Sequence, residues 1–299
     1  MTYSIVARDP DTGELGVAVQ SRWFSVGSVV TWAEPGVGAV ATQSFAEVAH
    51  GPNGLRLLRE GRTAGEALIE LVAADEGEAL RQVGIVDAAG NVAGHTGARC
   101  VADAGDVQDD EVSCQANMMA SPSVWPAMLE AYRSTTGDLA DRMLAALVAG
   151  EKAGGDARGR QSAALVVVSG DREAPPWQRA IELRVEDHPD PVGELARLLR
   201  LQRAFTHLDR GQELADAGRM EEGGAEAALA VALAPEDDQV AFFGALVLIG
   251  AGRVEEARPL LDRARAANPG WPAFLRRFAA SGTIPDDPAL LDAIMPLEG

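Results

Sequence analysis

The sequence predicts an α+β domain built as a four-layer αββα sandwich, two stacked sheets between outer helix pairs, followed by an all-α region. From the start to about residue 187, short apolar runs bounded by turn residues alternate with segments whose apolar positions recur at helical spacing. The order reads strands, two helices, strands, two helices, strands, and two sheets face to face with helix pairs outside bury all of those faces. From about residue 192 onward the spacing is helical throughout and repeats.

SIVAR, LGVAVQS and VGAVATQS open a sheet, divided by turn signals such as DPDTGE. Residues 52–74 place Leu55 and Leu58, then Leu68, Leu71 and Val72, at helical spacing, with Gly61 as a stop and Thr63 as an N-cap between two helices. RQVGIVDAAGNVAGHTG predicts a hairpin about DAAGN. A loop containing CQANMMASPS leads to helices near 122–135 and 138–150, and the glycine-rich EKAGGDARGRQ delivers the chain into two strands, SAALVVVSG and RAIELRVED. Farther on, GRMEE at 218–222 recurs as GRVEE at 252–256 and Pro235 as Pro269, a period of 34 that resembles tetratricopeptide helix hairpins. The predicted domains are 1–200 and a TPR-like 201–299. Two repeats are fewer than the roughly three such units need alone, so they are expected to lean on the first domain or on a second subunit.

Acidic and basic residues number 45 and 26, and the net charge of −19 argues against nucleic acid and anionic membrane as partners. No apolar run approaches the roughly 18 residues of a membrane span, and the start of the chain lacks the regions of a signal peptide, so a cytoplasmic protein is expected. Cys100 and Cys114 read as reduced thiols, and without CxxC or HxxxH spacing no metal is predicted. Lys152 is the only lysine, which limits any chemistry needing a lysine base. The acidic stretches DVQDDE (106–111) and PEDD (235–238) read as solvated loop charge.

Thr2 is the first candidate for chemistry. Its small side chain favours removal of Met1, which leaves a threonine with a hydroxyl and a free α-amine, a nucleophile beside its own base. With an unperturbed pKa of about 8, that amine can accept a proton near neutrality. The plainer reading is an ordinary residue at position two.

The stretch from Thr2 through GELGVAVQSRW resembles the start of proteasome β-subunit-type N-terminal nucleophile (Ntn) hydrolases: a threonine opening a strand, a hairpin, and a Ser-Arg pair, here Ser21-Arg22. More closely, TYSIVARDPDTGELGVAVQSRWFSVGSVV, GVGAVATQSF, GHTGARC, QANMM, GGDARGRQSAALVVV and RVEDHPDPVGEL together resemble the DUF1028 family of the Ntn-hydrolase superfamily, over about residues 2–200. The resemblance implies the αββα sandwich, with Thr2 at the mouth between its sheets. Gln20 stands where the proteasomal pattern has an aspartate, and no lysine follows through Ser44, so lysine-assisted activation is not available. Either arginine and the α-amine suffice, or the site is repurposed.

An acyl-transfer site needs a nucleophile, a base, oxyanion donors and a group that holds substrate. Asn117, in a predicted loop, is the candidate second catalytic residue, its amide N–H donating to an oxyanion, with turn capping as the alternative. Gln43 and Ser44 end a strand and are candidates for the mouth. His95 is either a carboxylate-binding residue or a structural one. Arg22 can hold the N-terminus or an acidic substrate group. Asp156, Arg158, Arg160 and Gln161 lie in the glycine-rich approach to a strand, where backbone can come close to a ligand; an exposed turn is the alternative. The expected activity is cofactor-free hydrolysis of a small amide or peptide-like bond by Thr2. The alternative is a non-catalytic αββα domain whose helical repeats bind a protein partner or self-associate, and a low-order homo-oligomer is expected.

Overall fold

Thr2–Arg8 (β1) and Leu15–Ser21 (β2) pair as an antiparallel hairpin in which every residue but Arg8 is buried. Strands covered on both faces read as near-continuous apolar runs, which is how these two appear in the sequence. The computed structural model describes residues 2–175, 177–282 and 284–296. It divides into two units, Met1–Ala196 and Arg197–Gly299.

In the first unit the hairpin is followed by α1 (Gly27–Val30), β3 (Thr31–Glu34), β4 (Gly38–Ser44), α2 (His50–Arg59), α3 (Ala64–Ala73), β5 (Arg81–Asp87) and β6 (Val92–Thr96). Then come β7 (Gly105–Asp109), β8 (Val112–Asn117), α4 (Val124–Ser134), α5 (Leu139–Lys152), β9 (Ser162–Val168) and β10 (Ile181–Val185). The strands form a six-stranded sheet, β10-β9-β2-β1-β8-β7, and a four-stranded sheet, β3-β4-β5-β6, antiparallel throughout. Helices α4 and α5 cover the larger sheet, α2 and α3 the smaller, and the two sheets face each other. Thr63 caps α3 as expected, in a capping box with Glu66. Cys100 and Cys114 are free thiols, and burial pushes the Cys114 thiol up.

Side-chain alternation sorts the interior. Val6, Val17, Val19, Ala164 and Val166 meet Ala39, Ala41 and Val86 across the gap and form an apolar half. Around β1, β8 and β5 the same gap is polar: Ser4, Ser113, Gln115 and Asn117 face Gln43 and Gln82, all buried. Gly84 of β5 lies where the sheets approach most tightly over this half, since a Cβ there would sit 2.4 Å from Gln115 Oε1.

The second unit is helical, from the later part of α6 (Pro191–Asp216) through α7 (Met220–Leu233), α8 (Asp238–Gly250), α9 (Val254–Ala267), α10 (Trp271–Ala280) and α11 (Pro288–Ile294). Phe242 stacks on Trp271 with ring centroids 4.2 Å apart, in a core shared with Leu248, Leu261 and Leu275. The sequence repeat is structural: Gly218 and Gly252 share φ 77°, and Arg219 and Arg253 each pair with a glutamate three residues on, at the starts of α7 and α9.

Three expectations need correction. Asn117 is not in a loop; it ends the interior strand β8 and is fully buried, because the CQAN stretch pairs with Thr2–Ile5. DVQDDE is not solvated loop charge, since most of it is β7 and its turn, where Thr96 donates to Asp106 at 2.6 Å and Arg8 pairs with Glu111 at 2.8 Å. PEDD likewise caps and anchors α8: Asp237 accepts from the Val240 N–H at 2.9 Å and Asp238 from the Trp271 indole at 2.8 Å. The short α1 and β3 were not read at all. Gly84→Ala is expected to lower stability by about 1–3 kcal/mol through overpacking against Gln115, seen as a lower urea midpoint with an unchanged slope.

Candidate functional site

Thr2 stands at the start of a central strand, between Ser21 of β2 and Asn117 of β8. Residues paired directly across antiparallel strands point to the same face, so Thr2, Ser21, Asn117 and, beyond Ser21, Ser162 form one row facing the smaller sheet. Thr2 is 5% exposed, and its hydroxyl donates to Ser21 Oγ at 3.0 Å. Its carbonyl accepts from Gln43 Nε2 and Asn117 Nδ2, each at 3.4 Å. Met1, whose removal would free the Thr2 amine, lies outside the described residues.

Behind Thr2 the amides bind one another. Gln43 Nε2 and Asn117 Nδ2 both donate to Gln82 Oε1, at 2.8 and 2.9 Å, while Gln82 Nε2 donates to Thr96 Oγ1 and the Ala116 carbonyl, both at 2.9 Å. Ser4 donates to Gln43 Oε1 at 2.7 Å and accepts from Gln115 Nε2 at 2.7 Å. Because Gln82 offers Asn117 an acceptor, the Asn117 amide nitrogen turns toward it. Asn117 Oδ1 is left buried without a partner among the described residues.

A cavity of about 540 Å³ opens in front of Thr2, lined also by Trp23, Val26, Val29, Val30, Gln43, Ser44, Phe45, Ala46, Arg81, Met118 and Arg158. Ser44, the last residue of β4, and Met118, the first after β8, lie in the left-handed region, at φ 70° and 57°, uncommon for residues with a Cβ. Such conformations gather at functional sites. Ser44 Oγ is shut off from solvent and has no partner among the described residues.

Both arginines of the cavity are held from behind. Arg81 donates to Asp75 Oδ2 at 2.7 Å and to the Phe45 carbonyl at 2.6 Å, which ties the loop after β4 to β5. The guanidinium, together with the Gly77 N–H, holds the Asp75 carboxyl down at about 2. Arg158 pairs with Asp156, whose carboxylate also accepts the backbone N–H of Arg22 and of Arg158, each at 2.9 Å.

Of the residues singled out in the sequence, Thr2, Gln43, Ser44 and Arg158 therefore meet at one cavity, Asn117 sits directly behind it, and Asp156 supports its wall. The others lie elsewhere. His95 alternates with Thr96, which faces the larger sheet; the ring thus turns to the opposite face and meets the Glu78 carbonyl at 3.0 Å. Arg160 pairs with Glu151 at 2.6 Å, and Glu151 accepts from the Tyr3 hydroxyl on the helix-covered face of β1. The Arg22 guanidinium donates to the Arg160 carbonyl at 3.1 Å. Arg81 and Gln82 were missed. The available signal was a polar pair opening the otherwise apolar RQVGIVD, the counterpart of the Gln43-Ser44 pair that closes β4.

The fold and site define an α+β protein of two facing antiparallel sheets, with a threonine-floored cavity at the strand ends. Residues 2–195 match the family described as "Family of unknown function (DUF1028)", and the chain belongs to that family. It is similar to the crystal structure of protein SPO2555 from Silicibacter pomeroyi, assigned to the same family. The two are 34% identical with a TM-score of 0.61 over 67% of this chain and 88% of that one. No curated protein matches the chain. Among the described residues no helix is long and apolar enough to cross a membrane, and no group of three or more His, Cys, Asp or Glu is placed to hold a metal ion.

The lowered Asp75 pKa sets a pH dependence. The ordinary value is 3.8 and the folded one about 2, so the stabilisation is complete above about pH 4 and is lost as pH falls through about 2. Asp75→Asn is expected to lower the unfolding midpoint at pH 7 and to narrow its gap from wild type between pH 4 and 2, measured by urea titrations across that range.

Proposed function

We propose that this chain is a cofactor-free amidohydrolase of the N-terminal nucleophile class, with Thr2 as nucleophile once Met1 is removed. The observation that carries the reading is the Thr2 hydroxyl on the floor of the cavity, oriented by Ser21 and backed by a closed network of buried amides. The helix, sheet, sheet, helix order agrees with an Ntn-type αββα sandwich. Thr2 Oγ attacks the carbonyl carbon of a small amide while its proton passes to the α-amine. The resulting tetrahedral intermediate expels the amine as the C–N bond breaks and the α-ammonium returns the proton to the leaving nitrogen. Water, deprotonated by the same α-amine, then cleaves the Thr2 ester and releases the acid.

In this scheme Asn117 is a positioning residue, because its N–H groups go to Gln82 and to the Thr2 carbonyl. Its unpartnered oxygen stands ready to accept from the α-ammonium that loss of Met1 creates. Ser44 lines the cavity, and its unpartnered hydroxyl breaks no hydrogen bond on turning from its buried position toward the substrate, where it takes the oxyanion-donor role. A second reading has its own support. The helical unit, proposed as TPR-like, contains a groove of about 560 Å³ edged by Phe205, Phe243, Phe278, Asp209 and Asp216, as expected of a partner-binding or self-association module on a non-catalytic domain.

Intact-mass analysis is expected to show protein lacking Met1; activity in protein that fully retains it would exclude the mechanism. On a panel of small amides Thr2→Ala is expected to abolish turnover, and turnover equal to wild type would remove Thr2 from the chemistry. Ser44→Ala is expected to lower kcat by about 10²–10³ with little change in KM, the signature of a lost oxyanion donor.

A further inference from the structure

The cavity in front of Thr2 differs in charge from the rest of the chain. Acidic residues exceed basic ones by 19 overall, yet the lining contains two arginines, Arg81 and Arg158, and no aspartate or glutamate. Each guanidinium is paired with an aspartate outside the lining, Asp75 or Asp156, so the wall presents guanidinium groups to the pocket while the compensating carboxylates lie behind them. Its other walls are apolar: Val26, Val29, Val30 and Met118, with Trp23 and Phe45 at 61% and 52% exposure. Large aromatics left this open beside a cavity are unspent contact area for a ligand.

Both cations are already positioned. Arg81 is fixed by one N–H from each of its three nitrogens, to Asp75 Oδ2, the Phe45 carbonyl and Asp75 Oδ1, which leaves two of its five N–H groups for a ligand. Asp156, its side chain fully buried, holds Arg158 through two guanidinium nitrogens. A guanidinium anchored from behind loses little freedom when it meets a carboxylate.

We infer that the substrate is an N-acylated amino acid or a close analogue: an amide joined to an apolar or aromatic group and to a carboxylate, the carboxylate held by Arg81 and Arg158 while Thr2 faces the amide. The inference rests on the cavity being where Thr2 attacks an amide, and it adds what the cavity selects.

The test measures binding apart from turnover. Calorimetric titration of the full-length Thr2→Ala protein would use N-acetyl-phenylalanine, N-acetyl-leucine and N-acetyl-glutamate, each against its α-carboxamide. A charge-assisted pair predicts that at least one acid binds about 10- to 100-fold more tightly than its carboxamide, with the advantage shrinking as salt rises. Arg158→Gln in the Thr2→Ala background is expected to remove most of that advantage. Arg81→Gln should do the same, and circular dichroism would show whether releasing Asp75 and Phe45 unfolds it, in which case Arg158→Gln alone decides. Equal binding of every acid and its carboxamide, no binding by any of them, or a preference that survives Arg158→Gln overturns the inference. An acid bound tightly but never cleaved by the wild type would overturn the nucleophile reading alone. Cleavage of acids and carboxamides with equal kcat/KM would overturn the carboxylate clamp alone.

Discussion

Half of the gap between the two sheets is filled with amides and hydroxyls, and in a space that excludes water these groups have to satisfy one another. A buried polar group without a partner costs about 1–3 kcal/mol, so the two sheets have little freedom to shift relative to one another there. Gln82 is the hinge of the arrangement. Its oxygen receives Gln43 and Asn117, and its nitrogen reaches across to Thr96 and to the Ala116 carbonyl, so one side chain joins β4, β5, β6 and β8. Glycine at position 84 is what allows the sheets to come close enough for this, because any larger residue would occupy the place of the Gln115 amide.

The site follows from that packing. Thr2 belongs to the row of side chains that closes the polar half, and its carbonyl is bonded by two of the same amides that tie the sheets together. Its hydroxyl is consequently oriented by a network that cannot relax locally without breaking bonds elsewhere. Around it the strand ends carry the shape: Ser44 and Met118 turn away in left-handed conformations, and the loop after β4 is tied through the Phe45 carbonyl to Arg81.

Most of the layer order was legible in the sequence, because long helical and strand periodicities survive averaging over neighbours. Short elements were not. A four-residue edge strand such as Thr31–Glu34 spans too little chain to show a period. Asp106–Asp109 hid its strand behind charge, since β7 is an edge whose acids are matched by Thr96 and by Arg133, partners distant in sequence. Thr2, Gln43 and Ser44 could be found because each lies at a strand end beside a recognisable motif. His95 misled because a residue's face depends on strand register, and one position decides between the cavity side and the helix side. Arg81 was hidden for a related reason: arginine is common on surfaces, and only the tertiary arrangement shows that it borders the same hollow as Arg158.

The strand order has a consequence for how the larger sheet is assembled. β1 and β2 precede the other strands of this sheet along the chain, yet they occupy its middle, with β8 and β7 added on one side and β9 and β10 on the other. The hairpin serves as a template whose two edges stay open until chain about 90 and 140 residues farther on has emerged. Pairings of that span make for slow folding and for exposed apolar edges in the nascent protein. A row built to hold one threonine in place thus depends on strands that arrive last.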